Sequence, residues 1–210
     1  MAGGRGVFLA FEGGEGAGKS TQIKALAALL IGRGHDVVVT REPGATSVGQ
    51  SIRRLVLDPA SQGLSPRAEA LLYAADRADH VDALISPALE RGAVVITDRY
   101  VDSSLAYQGA GRRIDATQVE HVNNWATGGL MPDLTVLLDI DPVVGLARAG
   151  QTDRLEAEPL AFHVAVRAAF LSLAARDPRR YVVISADQEP QLVHDLVSAA
   201  VTAWLGAARQ

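Results

Sequence analysis

The chain has 210 residues, 48% hydrophobic and 21% charged, enough for one substantial core and unlike a disordered composition. With 24 acidic against 20 basic residues the formal net charge is −4, so the long-range pull that carries proteins onto nucleic acid is missing and any phosphate it handles should be small and locally held. There is no cysteine, which excludes disulfides, thiolate chemistry and a sulfur-ligated metal; no segment approaches the ~20 apolar residues of a membrane span, and the apolar stretch after Arg5 is too short for a secretion signal. One cytoplasmic domain over residues 1–210, with no nucleic-acid and no membrane partner, is the expectation.

The first strand-length run, Val7 to Phe11, passes almost directly into Gly13-Gly14-Glu15-Gly16-Ala17-Gly18-Lys19-Ser20-Thr21, and an alanine- and leucine-rich helix is predicted over Lys19 to Gly32. The loop satisfies G-x-x-x-x-G-K-[ST] in the strand–loop–helix context that pattern needs. Its glycines let backbone N–H groups approach phosphate oxygens, Lys19 adds a positive charge, Ser20 offers a hydroxyl to Mg²⁺, and the helix directs its positive end at the anion. A nucleoside triphosphate with Mg²⁺ is the inference, against the alternative of a glycine-rich turn that binds nothing. Glu15 is the oddity: a carboxylate in an anion cradle is tolerable only if it points away from the triphosphate or towards a cation.

A second strand, Val37 to Thr40, leads into the connection at 41–50; Ser65 to Arg91 reads as a long helix interrupted by Pro87. The third strand, Val94 to Thr97, ends on Asp98-Arg99-Tyr100 and opens a connection at 98–113. The fourth, Leu134 to Asp139, is followed by a connection at 147–156, a helix predicted over Glu156 to Arg176, a fifth strand at Tyr181 to Ser185 and a closing helix over Glu189 to Leu205. The strands are continuous apolar runs, the pattern of strands buried on both faces, so a parallel sheet wrapped by helices is expected, an α/β fold whose conspicuous connections share one rim. At that rim Asp98 could hold Mg²⁺ and Arg99 a phosphate, although a strand-end salt bridge would look the same. The D-x-x-G and N-K-x-D segments of GTPases are absent.

Four stretches in this order, EGGEGAGKST, TREPGAT, DRYVDSSLAYQG and DRLE, resemble the thymidylate kinase family over most of the chain. The resemblance implies a P-loop nucleoside monophosphate kinase fold, a five-stranded parallel sheet flanked by helices with a short mobile lid near 147–156. It implies transfer of the γ-phosphoryl of ATP to dTMP, giving dTDP and ADP for dTTP synthesis, by a homodimer. Residue by residue it assigns the ATP phosphates to Gly13 through Thr21, Mg²⁺ to Ser20 and Asp98, and the acceptor phosphate to Arg53 and Arg99. Tyr73 would stack on thymine, Arg77, Ser104 and Gln108 meet its edge, Tyr107 lie beneath the deoxyribose, and Glu15 face the 3′-hydroxyl and the metal's water shell. Without the resemblance, Arg53 and Arg54 read as a solvated helix face, Tyr73 as core and Arg77 as a surface ion pair with Asp76 or Asp79. Arg54 is left out of the site.

Phosphoryl transfer needs cations around the transferring group. Gly16 and Ala17 leave no arginine after Glu15, so it must come from the lid, which offers Arg148 and Arg154, with Gly150 as a hinge. Arg154 is the more exposed to a structural role through Asp153 or Glu156. Ala45 stands where the family commonly has glycine, and a positive φ there would carry strain of ~1 kcal/mol or more. The alternatives are a kinase for another nucleoside monophosphate and a non-catalytic nucleotide-binding module.

Overall fold

The computed structural model describes residues 5–61, 63–150 and 153–207. The elements run β1 (Val7–Glu12), α1 (Lys19–Gly32), β2 (Val37–Arg41), α2 (Ser47–Leu57), α3 (Pro66–His80), α4 (Ser86–Glu90), β3 (Val94–Asp98), α5 (Val101–Ser104), α6 (Ala116–Thr127), β4 (Leu134–Asp139), α7 (Pro142–Ala149), α8 (Leu160–Arg176), β5 (Tyr181–Ser185) and α9 (Pro190–Ala207). All five strands are parallel, in the order β2-β3-β1-β4-β5. The chain fills one side of β1 with β2 and β3, then crosses to the other with β4 and β5. The crevice beyond the carboxyl ends of β1 and β3 is therefore where a ligand is expected in such a sheet.

The three central strands are buried along almost their whole length, whereas Val39 in β2 and Val183 in β5 are about half exposed. The expectation of burial on both faces thus fails for the two edge strands, which have a neighbour on one side only. One core layer joins α1 and α9 to the sheet, a second packs β1 and β3 on α4 and the segment before it, and a third gathers Tyr107, Phe162, Val166, Phe170 and Tyr181 around α8.

The long helix expected over Ser65 to Arg91 is capped by Ser65, whose hydroxyl accepts from Ala68 N, but it is not continuous. Val81–Ile85 winds as one wider π turn between α3 and α4, one residue before Pro87, whose nitrogen cannot donate and whose ring would clash with the carbonyl of Ala83, four residues back, in a regular α-helix. The helix expected from Glu156 begins only at Leu160, because Pro159 holds the preceding backbone extended. α2, α5, α6 and α7 occupy stretches read as connections or left unread. Local caps explain three of them: Thr46 accepts from Gly49 N, Asp115 from Gln118 N and Asp141 from Val143 N. The 98–113 connection is largely helical too, α5 continuing as a π-helical turn over Leu105–Gly111.

Candidate active site

The loop after β1 turns on Gly13, Gly16 and Gly18, with φ of 139°, 66° and 83°. α1 starts at Lys19 with no side-chain cap, which leaves its first N–H groups facing the loop's cavity, an arrangement suited to phosphate oxygens. Lys19 Nζ folds back to donate to Gly13 O at 3.1 Å and Gly14 O at 3.0 Å. Burial and the nearby Arg99 lower its pKa, so it is a cation held at a cost until an anion arrives. Ser20 Oγ donates to Asp98 Oδ2 at 2.9 Å, because β1 and β3 pair Phe11 with Asp98 and bring that strand end beside the loop. Gly16 meets Gly145 of α7 backbone to backbone: a Cβ on Gly16 would lie 2.0 Å from Gly145 O, and one on Gly145 2.3 Å from Glu15 O.

Beside this cavity lies a second one, lined by Tyr73, Arg77, Ser104, Tyr107, Gln108 and the returning lid residues Leu155 and Glu156. The cavities share four lining residues, Glu15, Glu42, Arg53 and Arg99. Arg53 Nη1 donates to Pro43 O at 3.0 Å, while the exposed Arg54 side chain reaches, among the described residues, only Ser51. Arg99, at φ 70°, donates from Nη2 to Glu15 Oε1 at 2.8 Å and from Nη1 to Gly13 O and Ser103 Oγ, its guanidinium 4.9 Å from the Tyr107 ring centre. Tyr107 donates its hydroxyl to the same Glu15 oxygen at 2.6 Å. Burial alone would raise the Glu15 pKa, but Arg99, Lys19 and the Tyr107 hydroxyl outweigh it and bring it down to about 2. Glu15 is therefore ionised, lines both cavities and leaves Oε2 without a hydrogen bond among the described residues.

Arg77 is not the surface ion pair with Asp76 or Asp79 that the residues alone suggest. It is fully buried, donating to Glu42 Oε2 at 2.7 Å, Ser104 Oγ at 3.0 Å, Tyr100 O at 2.9 Å and Asn123 Oδ1. Gln108 Nε2 donates to Glu69 Oε1 at 2.9 Å. Arg154 is buried as well, but not through Asp153 or Glu156. It donates to Val56 O at 2.9 Å and to Glu69 Oε2 at 2.5 Å, because the returning chain lies against the end of α2 and the buried start of α3. Arg148, near the end of α7, is half-exposed and reaches Ala186 O at 2.9 Å and Asp187 at 3.4 Å, away from both cavities. Gly150 takes φ 76°, and residues 151 and 152 of the expected lid lie outside the described residues. Ala45 is not at positive φ; Gly44 takes that role at 106°, so the expected strain is absent.

Sequence reasoning missed three buried acids. Glu12 accepts from Tyr100 N at 2.8 Å, Ser103 N at 3.1 Å and Ser103 Oγ at 2.6 Å, capping α5 from another strand and fixing the turn that presents Arg99. Burial and Asp102 raise its pKa to about 7. Glu42 bridges Arg77 and His80, and Glu69 joins Gln108, Arg112 and Arg154. The one available signal was an ionisable residue closing an otherwise apolar strand, as Glu12 does. Arg41 was also missed. It lines the phosphate cavity and, among the described residues, makes no hydrogen bond or ion pair there.

A family model described as "Thymidylate kinase" matches residues 11–197. A thymidylate kinase of Clavibacter sepedonicus is 52% identical over 210 residues, covering 94% of this chain and 99% of its own. One of Cutibacterium acnes is 51% identical over 200 residues, covering 95% and 98%. The crystal structure of thymidylate kinase from Ehrlichia chaffeensis superposes with a TM-score of 0.78 at 33% identity, covering 94% of this chain and 99% of that one.

Proposed function

The chain belongs to the thymidylate kinase family, and from that premise we propose how its residues divide the work. It is a dTMP kinase of P-loop fold that moves the γ-phosphoryl of ATP to dTMP, giving dTDP and ADP in dTTP synthesis. The comparisons lend nothing to another acceptor or to a non-catalytic module.

The observation that carries the division of labour is the pair of cavities joined at Glu15, Glu42, Arg53 and Arg99. In our reading the donor triphosphate lies on the N–H groups of Gly13 to Thr21, and Lys19 exchanges its two carbonyl contacts for phosphate oxygens. Arg53 and Arg99 hold the acceptor phosphate across the junction. That phosphate is already largely ionised near pH 7, with a second pKa of about 6, so no general base is required and positioning carries the rate. Glu15 Oε2 takes the 3′-hydroxyl of the sugar while Oε1 stays on Arg99 and Tyr107, tying sugar and phosphate recognition together. Tyr73, Arg77, Ser104 and Gln108 take the base.

The neighbouring oxygens of Ser20 and Asp98 suit Mg²⁺, a hard cation that commonly accepts one or two protein oxygens and fills its shell with phosphate and water. Bound there, Mg²⁺ would neutralise phosphate charge during transfer. Of the lid arginines at about 147–156, Arg148 is assigned to the transferring phosphoryl, since its guanidinium is half-exposed and held only by Ala186 O and a long, exposed contact to Asp187; Arg154 would join it only by leaving buried Glu69.

The same reading gives one kinase domain over 1–210, working as a cytoplasmic homodimer. Exposed Leu55 on α2, Leu71 on α3 and Trp125 on α6, with α3 packed against both other helices, support an association face. Among the described residues no helix is long and apolar enough to cross a membrane. The deciding measurement is ATP- and Mg²⁺-dependent turnover against a panel of nucleoside monophosphates. dTMP should have the highest kcat/KM, and a better acceptor would defeat the base-pocket assignment.

A further inference from the structure

Gln108 is almost completely buried, and its amide nitrogen is spoken for by Glu69, itself inaccessible at the start of α3. The Glu69 carboxylate also receives Arg112 Nε at 3.2 Å on Oε1 and Arg154 Nη2 at 2.5 Å on Oε2. Burial would raise its pKa, but the bonds from Gln108, Arg154 and Arg112 prevail and lower it, so the group is ionised and can only accept. Turning the Gln108 amide over would set its carbonyl oxygen against a carboxylate oxygen 2.9 Å away, two acceptors with no proton between them. The amide is therefore held in one orientation. No described group donates to Gln108 Oε1, and Gln108 lines the acceptor cavity with Tyr73, Arg77 and Ser104.

We propose that Glu69 is a positioning residue for acceptor specificity: by fixing Nε2 of Gln108 inward it leaves Oε1 for the base, so the pocket demands a donor at ring position N3. Thymine and uracil carry N–H there. Cytosine carries a lone pair, which would face the Gln108 carbonyl oxygen acceptor to acceptor. The carboxylate thus selects against a base it never touches, and it does so through the same two oxygens that latch Arg154 and the returning lid. The inference rests on the reading of Gln108 as a base-edge contact.

The test compares kcat/KM for dTMP, dUMP and dCMP, using the full chain with ATP and Mg²⁺. Glu69→Gln can donate or accept and so frees the Gln108 amide; the dTMP:dCMP ratio should fall about tenfold or more, with dTMP:dUMP unchanged. A proportional loss for all three acceptors would mean a merely structural role and would overturn the proposal. Arg154→Met removes another partner of the same carboxylate and should leave both ratios alone; a shifted dTMP:dCMP ratio there would also overturn it. Gln108→Met separates premise from inference. An unchanged dTMP:dCMP ratio in that variant removes the base-edge reading itself, whereas a lowered ratio there beside an unchanged one in Glu69→Gln refutes Glu69 alone. The wild-type protein gives a readout that needs no variant to fold: one Gln108 side-chain amide proton should be hydrogen-bonded and slow to exchange in NMR spectra. Two rapidly exchanging, averaged protons would overturn the fixed orientation.

Discussion

The two halves of the site are built by different means. The proposed donor half is one contiguous loop that offers backbone N–H groups, completed by Lys19, Ser20 and Asp98. The proposed acceptor half draws side chains from α2, α3, the 98–111 segment and the loop itself, and hangs them on buried acids: Glu12 behind the Arg99 turn, Glu42 behind Arg77, Glu69 behind Gln108. A phosphate has the same oxygens on every side and can be met by a backbone that merely curves correctly. A base has a fixed sequence of donors and acceptors along one edge, so each protein group facing it must be held in angle as well as in place. Donor-side changes should therefore damage turnover while sparing the fold, and acceptor-side changes should couple binding to stability.

The sharpest contrast is between Lys19→Ala and Arg77→Leu. Lys19→Ala should lower kcat by about 10³-fold or more in single-turnover transfer while the thermal midpoint moves by only a few degrees, roughly. Arg77→Leu removes the guanidinium from buried Glu42, leaving it only the His80 ring, and should lower unfolding free energy by ~3–5 kcal/mol in urea titrations, with dTMP binding lost alongside. Equal stability losses in the two variants would erase the distinction between the halves. At the junction, Glu15→Gln should reduce kcat/KM for dTMP by roughly 10- to 100-fold and change the Kd of ATP by less than about threefold. Equal damage to both would place Glu15 with the donor.

Smaller effects probe the lid and the support of Arg99. Arg148→Ala should lower kcat more than Arg154→Ala does, whereas Arg154→Ala should lower the thermal midpoint more, having abandoned Glu69 and Val56 O. Unchanged turnover in both would remove the lid arginines from the chemistry. Glu12 offers a pH test with a defined sign. Its pKa is raised from 4.5 to about 7, chiefly by burial and then by Asp102, so folding takes up a proton between those values. Its stabilising contribution is complete below about pH 4.5 and lost as pH rises through about 7. The thermal midpoint of Glu12→Gln should therefore gain on wild type between pH 5 and pH 8, and a constant difference would contradict the shift.

This division also governs what could be read from residues alone. The five strands, the loop at 13–21 and α1 were legible because they are local: an apolar run, a glycine spacing, a helix with its stops. Tyr73, Arg77, Ser104, Tyr107 and Gln108 were nameable only through family resemblance, because no spacing says that they line one cavity. Their supports were not legible at all. Glu69 lies 39 residues from Gln108 and Glu12 91 from Ser103; beyond the apolar strand that Glu12 closes, nothing nearby in sequence marks either acid as buried or names its partner. The same distance explains Arg154, whose near neighbours Asp153 and Glu156 looked like its partners while Glu69, 85 residues away, holds it. Where a helix was missed, as at α2 and α6, β-branched residues in both and Gly49 in α2 lower the intrinsic helix propensity of a segment that its cap and its packing against α3 make helical.

Gly16 and Gly145 meet backbone to backbone, so α7 lies against the 13–21 loop with no side chain between them. On the proposed assignment of that loop to the donor phosphates, any shift of α7 that favours an occupied loop would be favoured by occupancy in the same measure. A lone methyl introduced at residue 145 would lie 2.3 Å from Glu15 O and act as a wedge between helix and loop.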